Sequence, residues 1–142
     1  GYIKQLELTR ENFDGEWFDT GDLATLDAEG FIRITGRLKD IIIRGGENIP
    51  VKYVEDILYE DPRVQDAAIV AMPDQRLGER ACAFVICRDG QTLDMKAMQE
   101  FLAARGVAKV YWPERLEVVA ELPRTANGKV RKADLRARLG KL

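Results

Sequence analysis

At 142 residues, the chain is long enough for one domain, or for one domain and a piece of another. With 46% hydrophobic and 32% charged residues it can bury a core, which excludes a disordered tail, and a net charge of −2 excludes a global field that draws it to nucleic acid or membrane. Histidine and serine are both absent, which removes Ser-His and Cys-His nucleophile mechanisms and leaves any chemistry to Lys, Arg, Asp, Glu or the backbone. No apolar run approaches the ~20 residues that cross a bilayer, and the opening GYIKQLELTR has no secretory h-region. An opening in mid-pattern of this kind leads us to expect a fragment.

Residues 17–36, WFDTGDLATLDAEGFIRITG, hold two β-rich runs around the turn signal DAEG and predict a hairpin. Ile41, Ile42 and Ile43 predict a short strand, and Gly45-Gly46 after it allows a sharp turn or close approach to a ligand. PVKYVEDILYEDP predicts a helix with Pro50 in its first position and Val51, Val54, Ile57 and Leu58 on one face. VQDAAIVAMPD and ERACAFVIC predict two strands joined by QRLG. Cys82 and Cys87 fall five apart on the second, so they face opposite sides and a disulfide is not expected. Two isolated thiols fit a reducing compartment, hence cytoplasm, and without histidine they make a poor metal site. A second helix follows, with Asp94 as N-cap and Gly106 at its end. ERLEVVAELP predicts a strand and RKADLRARLG a last short helix. From residue 50 the order α-β-β-α-β-α describes a compact α+β domain, with the natural division near residues 37–40.

Four stretches carry candidate chemistry, each with a plainer reading beside it. Asp22, after Thr-Gly at a bend, can accept two hydroxyls as a ribose offers, or can close an Asx-type turn on its own backbone. In GRLKD, Arg37 can fork onto hydroxyls or a phosphate, and Lys39 lies where torsions would change if two lobes move; both also fit a solvated strand end. RGGEN lacks the spacing of a phosphate loop, so its glycines either admit a narrow ligand or form a β-turn. TANGK predicts a tight turn at Asn127-Gly128 with Lys129 near its tip. Arg124, Lys129, Arg131, Lys132, Arg136, Arg138 and Lys141 make the tail basic, either as a nucleic-acid patch or as a solvated helix face.

In their order and spacing, WFDTGDLA, GRLKDIIIRGGENIPVKYVE and LPRTANGKVRK resemble the C-terminal part of the adenylate-forming superfamily, which includes acyl-CoA synthetases, peptide-synthetase adenylation domains and luciferases. RGGENIP is most similar to the CoA-ligase branch, and KVYWPERLEVVAELPRT to ligases for medium-chain or alicyclic acids. The resemblance implies two half-reactions. A carboxylate attacks the α-phosphate of ATP, giving an acyl-adenylate and pyrophosphate; after the C-terminal domain rotates, CoA takes the acyl group and AMP leaves. It further implies that Asp22 and Arg37 bind the nucleotide, that Lys39 is the hinge, that Gly45 and Gly46 line the pantetheine tunnel, and that Lys129 is the adenylation lysine. By the same resemblance, the region Lys109–Trp112 meets the CoA nucleotide, and acylation of Lys129 would switch adenylation off.

The expected fold is therefore α+β: a lid built of a three-stranded sheet with helices and a leading β-hairpin, preceded by the last β-hairpin of a large N-terminal domain. Residues 1–38 would be the tail of that domain and 39–142 the mobile C-terminal domain, packing against its own N-terminal domain. The phosphate loop, the acyl pocket and the Mg²⁺-binding glutamate are expected upstream, so the fragment alone should make no acyl-CoA. No nucleic-acid partner and no metal ligand within these residues are expected. The rival reading is a non-catalytic module that grips an anionic partner with its basic tail.

Overall fold

The structure is a computed structural model that describes residues 6–139. The chain divides into two compact units, the first ending at Lys39 and the second starting at Asp40.

The first unit opens with helix α1 (Leu6–Asn12), followed by a two-residue pairing of β1 (Phe13–Asp14) with β2 (Trp17–Phe18). A longer antiparallel hairpin joins β3 (Asp22–Leu26) to β4 (Ile32–Arg37). Its turn is closed by Asp27, whose carboxylate accepts from the amides of Glu29 and Phe31. Trp17 and Phe18, expected in this hairpin's first strand, pair instead with Phe13 and Asp14. The break comes from Asp19, whose side chain accepts from Gly21 N–H at 2.8 Å, and from Gly21, whose φ of 67° ends an extended run.

In the second unit, the hairpin β5 (Ile42–Arg44)–β6 (Glu47–Ile49) leads into α2 (Val51–Tyr59). Pro50 is the residue before that helix rather than its first member, and Val51, Val54 and Leu58 are its buried stripe, as the 3.6-residue period requires. Then come β7 (Val64–Asp74) and β8 (Gly78–Cys87), paired antiparallel along nearly their whole length. Helix α3 (Met95–Ala104) is capped by Asp94, which accepts from Ala97 N–H. It supplies the crossover that lets β9 (Arg115–Val118) lie parallel to β8. Helix α4 (Lys132–Leu139) completes the described chain. The expected three-stranded sheet is β7, β8 and β9; the leading hairpin joins it where Arg44 pairs with Gly78, making five strands.

Alternate residues of the sheet feed two cores. Ile69, Ala81, Ala83 and Val85 pack with α2, α3 and the leading hairpin, whereas Ala68, Val70, Cys82 and Phe84 pack with Leu122, Leu135 and Leu139. Cys82 is buried in the second core while Cys87 packs against the first, and both are free thiols, as their odd spacing predicts. Among the described residues, β7 has no strand beside it other than β8. Its outward amides are met by side chains instead: Glu55 of α2 accepts from Ile69 N–H at 2.7 Å, and Asp66 accepts from Ala67 N–H at 2.9 Å.

Candidate functional site

In the first unit, the β3–β4 register sets Asp22 opposite Arg37, and their side chains meet at 2.9 Å. Asp22 does not close the turn before it; Asp19 and Thr20 do, leaving the Asp22 carboxylate available to the guanidinium. Both residues remain partly open to solvent. A carboxylate and a forked cation side by side can accept and donate to adjacent hydroxyls. Lys39 is exposed, in a 3₁₀ turn over Leu38–Asp40 at the junction of the two units.

Lys129 rides on a tight hairpin. Arg124 bridges to Val130 antiparallel, Thr125 N–H donates to Lys129 C=O at 2.8 Å, and Gly128 N–H donates to Thr125 C=O at 2.9 Å. Gly128 takes φ 81°, which an L side chain resists and which the Asn-Gly signal anticipates. Lys129 is exposed, and among the described residues no salt bridge engages its ammonium. An ammonium so presented is free to meet an anion brought to it.

Gly45 and Gly46 form the two-residue turn between β5 and β6, with φ of 57° and 90°, the signs a type I′ turn demands of both. The turn alone accounts for both glycines. A side chain at Gly45 would also press on Leu77 at 3.3 Å, whereas the space over Gly46 is open. The hairpin is braced by Glu79, which accepts from Ile43 N–H, and by Arg44 paired with Glu114 at 2.5 Å. Arg44, Lys109, Trp112 and Glu114 contribute to an open cleft of about 440 Å³, where the sequence expects a nucleotide.

These two hairpins stand at opposite ends of one ladder. The glycine turn adjoins Gly78, the first residue of β8, while the Lys129 hairpin is tied through Arg124 to Asp66, which pairs with Ile86 near the end of β8. Eight residues of extended chain separate the two ends, roughly 25 Å.

Four cations of the basic tail are matched by carboxylates of the same unit, while among the described residues no salt bridge engages Lys129 or Arg138. Arg124 meets Asp66, Lys132 meets Glu55 at 2.8 Å, Arg136 meets Asp40 at 2.6 Å, and Arg131 meets Asp134. Lys141, counted with the tail from sequence, lies outside the described residues. Among the described residues no cluster of three or more His, Cys, Asp or Glu side chains is placed to hold a metal ion.

Comparison with known proteins decides the family. Residues 53–129 match the model of the AMP-binding enzyme C-terminal domain, a span reaching from α2 to Lys129. The chain belongs to the AMP-binding enzyme C-terminal domain family. It is similar to the medium-chain fatty-acid–CoA ligase of Escherichia coli, with 47% identity across 96% of this chain and 24% of that protein. Among solved structures, ATP-bound MatB from Rhodopseudomonas palustris matches with a TM-score of 0.87 and 34% identity, over 97% of this chain and 27% of that one. The amide bond synthetase McbA from Marinactinospora thermotolerans matches with a TM-score of 0.85 and 36% identity, over 97% and 28%. The chain thus spans about a quarter of the length of the relatives it matches. The α+β architecture expected of the family is the one observed.

Sequence reasoning singled out the cations and passed over the carboxylates that hold them. Glu55, Asp66 and Glu114 carry no motif, and each works across 33 or more residues, Asp66 across 58 to Arg124. The available signal was a charged residue inside an otherwise apolar stretch. Glu55 lies one residue from the buried Val54, and Asp66 leads the run AAIVA.

Proposed function

We propose that this chain is the C-terminal part of an AMP-forming acyl-CoA ligase, with residues 1–38 the tail of a large N-terminal domain and 39–142 a mobile C-terminal domain turning about Lys39. The first reaction joins a carboxylate to the α-phosphate of ATP and releases pyrophosphate. The second passes the acyl group from the adenylate to the CoA thiol and releases AMP.

The reading is carried by the roughly 25 Å between the Lys129 hairpin and the glycine turn. One nucleotide pocket cannot meet both at once, so a domain that serves both half-reactions has to turn. In adenylation, Lys129 neutralises charge gathering on phosphate and carboxylate oxygens. An ammonium at about 4 Å contributes roughly 4 kcal/mol at an effective dielectric of 20, with no proton transfer and therefore no histidine. Asp22 and Arg37 hold the ribose hydroxyls. In the thioester step Gly45 and Gly46 pass the pantetheine arm, and the Lys109–Trp112 side of the cleft receives the CoA nucleotide. The Mg²⁺ ligand and acyl pocket belong to the upstream domain.

Two further observations support this assignment. The first unit exposes Trp17, Leu26, Phe31, Ile32 and Ile34 together, a density of apolar surface that packing within a larger domain would cover. The similarity to a medium-chain fatty-acid–CoA ligase favours a medium-chain or alicyclic acid and CoA as acceptor.

The test uses the full-length protein. Lys129→Ala should lower acid-dependent ATP–pyrophosphate exchange by about 10²–10³-fold, the cost of losing one preorganised donor. Thioester formation from preformed acyl-adenylate should be much less affected. Equal loss in both half-reactions would remove the role given to Lys129. CoA and simple amines offered to the acyl-adenylate would separate a ligase from an amide synthetase.

A further inference from the structure

Of the hairpin that carries Lys129, Val130 at its base packs against the second core, and the residues of its tip are exposed. Its bearing is set instead by charge, along the free edge of β7. The Arg124 guanidinium divides its nitrogens. One donates to the carbonyl of Gly128, the residue before Lys129, and the other to the buried carboxylate of Asp66. Asp66 is itself fixed, accepting from Tyr59 O–H at 2.6 Å and from Ala67 N–H at 2.9 Å. Three residues beyond the catalytic lysine, Lys132 is mostly buried and reaches Glu55, whose same oxygen accepts from Ile69 N–H. Both ends of the hairpin are therefore tied to β7 through carboxylates that already serve its outward amides.

The tie through Arg124 is the more telling. It grips the carbonyl of the peptide group that joins Gly128 to Lys129, so it fixes the start of the lysine side chain. A lone lysine on a glycine-containing turn would otherwise swing through a wide arc. Lys129 can be worth a large factor only if its ammonium returns to one place each turnover, because a misplacement of about 1 Å can cost 10²-fold.

We propose that Asp66, acting through Arg124, is a positioning residue for Lys129, and that Glu55 with Lys132 holds the other end of the same hairpin. This rests on the adenylation role assigned to Lys129 above. None of the four touches the reacting atoms. Their substitution should therefore impair the half-reaction that uses Lys129 and spare the one that does not.

The experiment compares Arg124→Ala, Asp66→Asn, Arg124→Lys and Lys132→Met in the full-length protein, alone and on the Lys129→Ala background. Arg124→Ala and Asp66→Asn should each slow ATP–pyrophosphate exchange by about 10–10²-fold, with thioester formation from acyl-adenylate held within about twofold. Arg124→Lys, which keeps the charge but not the fork, should recover part of the loss. Lys132→Met, which keeps the length and apolar stem of Lys132 but not its charge, should fall on the same side of the split. On the Lys129→Ala background none of them should slow exchange further, since there is no ammonium left to aim. Parallel losses in both half-reactions, or additional loss without Lys129, would show general destabilisation and overturn the proposal. Full exchange activity in Arg124→Ala, with Lys129→Ala impaired, would overturn the positioning role alone. Full activity in Lys129→Ala would overturn both.

Discussion

At the scale of single residues, the buried thiol of Cys82 and the partly exposed phenol of Tyr59 make the fold sensitive to base. Burial pushes the Cys82 thiol from 9.0 up to about 12. Burial, and then the hydrogen bond to Asp66, push Tyr59 from 10.0 up to about 12. In both, the unfolded chain gives up its proton first, so between the two values the native state binds more protons. Their contribution to stability is complete below about pH 9 and is lost as pH rises toward 12. Cys82 adds a slope of up to about 1.4 kcal/mol per pH unit, and Tyr59, nearly half exposed, adds less because solvent screens its interactions. Between pH 9.0 and 10.0 the slope belongs mainly to Cys82, because free tyrosine has not yet ionised. Cys82→Ala should flatten urea stability across that interval, and an unchanged slope would show that the thiol takes no part. The sidedness of Cys82 was legible in sequence from parity along a strand; its depth was not, because burial depends on Leu122, Leu135 and Leu139 arriving from beyond residue 120.

At the scale of elements, α2, α3, β7 and β8 were legible because each declares itself locally, by period, cap or a run of β-formers. The pairing of β9 with β8 was not, since a parallel partner is chosen by the crossover and not by the strand. The joint between α2 and β7 was also hidden. There, Asp61 is wholly buried and accepts from Arg63 through the backbone N–H at 2.9 Å, Nε at 2.9 Å and Nη2 at 2.7 Å. Arg63 also reaches Ala97 C=O on α3, so one clip ties three elements. Burial pushes the Asp61 carboxyl up, but the Arg63 hydrogen bonds outweigh it and hold its pKa below the usual value. Asp61→Ala should cost about 3 kcal/mol, since it strands the Arg63 amide and breaks a buried pair. Lys52→Ala on α2 should cost less than about 0.5 kcal/mol, because its pair with Asp56 lies in solvent. Urea titration of the two variants checks the contrast, and similar losses in both would contradict it. The Asp61 contribution is present above the free carboxyl pKa of 3.8 and is lost as pH falls, so the Asp61→Ala chain should lose less stability on acidification than its parent.

At the scale of the whole molecule, the question is what the basic tail is for. In sequence, the segment from Arg124 reads as a run of cations with one acid, and that pattern alone fits a grip on an anionic polymer. In three dimensions Asp66, Glu55, Asp40 and Asp134 each take one of those cations, so four of the charges are spent on internal order. The sequence could not show this, because three of the four acids lie more than 55 residues away along the chain. Counterion release scales with the number of phosphates neutralised, and a surface with few uncommitted cations has little to release. The chain, carrying net charge −2, should therefore pass a single-stranded oligonucleotide column at low salt without retention. Retention that falls steeply as salt rises would mean the internal pairs yield to phosphate, and would restore the tail as a binding surface. Loss of retention in Lys129→Ala alone would trace any residual binding to the exposed ammonium. Among the described residues of the tail, only Lys129 and Arg138 are left without a carboxylate partner, and so sparse a pair of cations suits one small phosphate ligand held in a pocket far better than a polymer laid across a face.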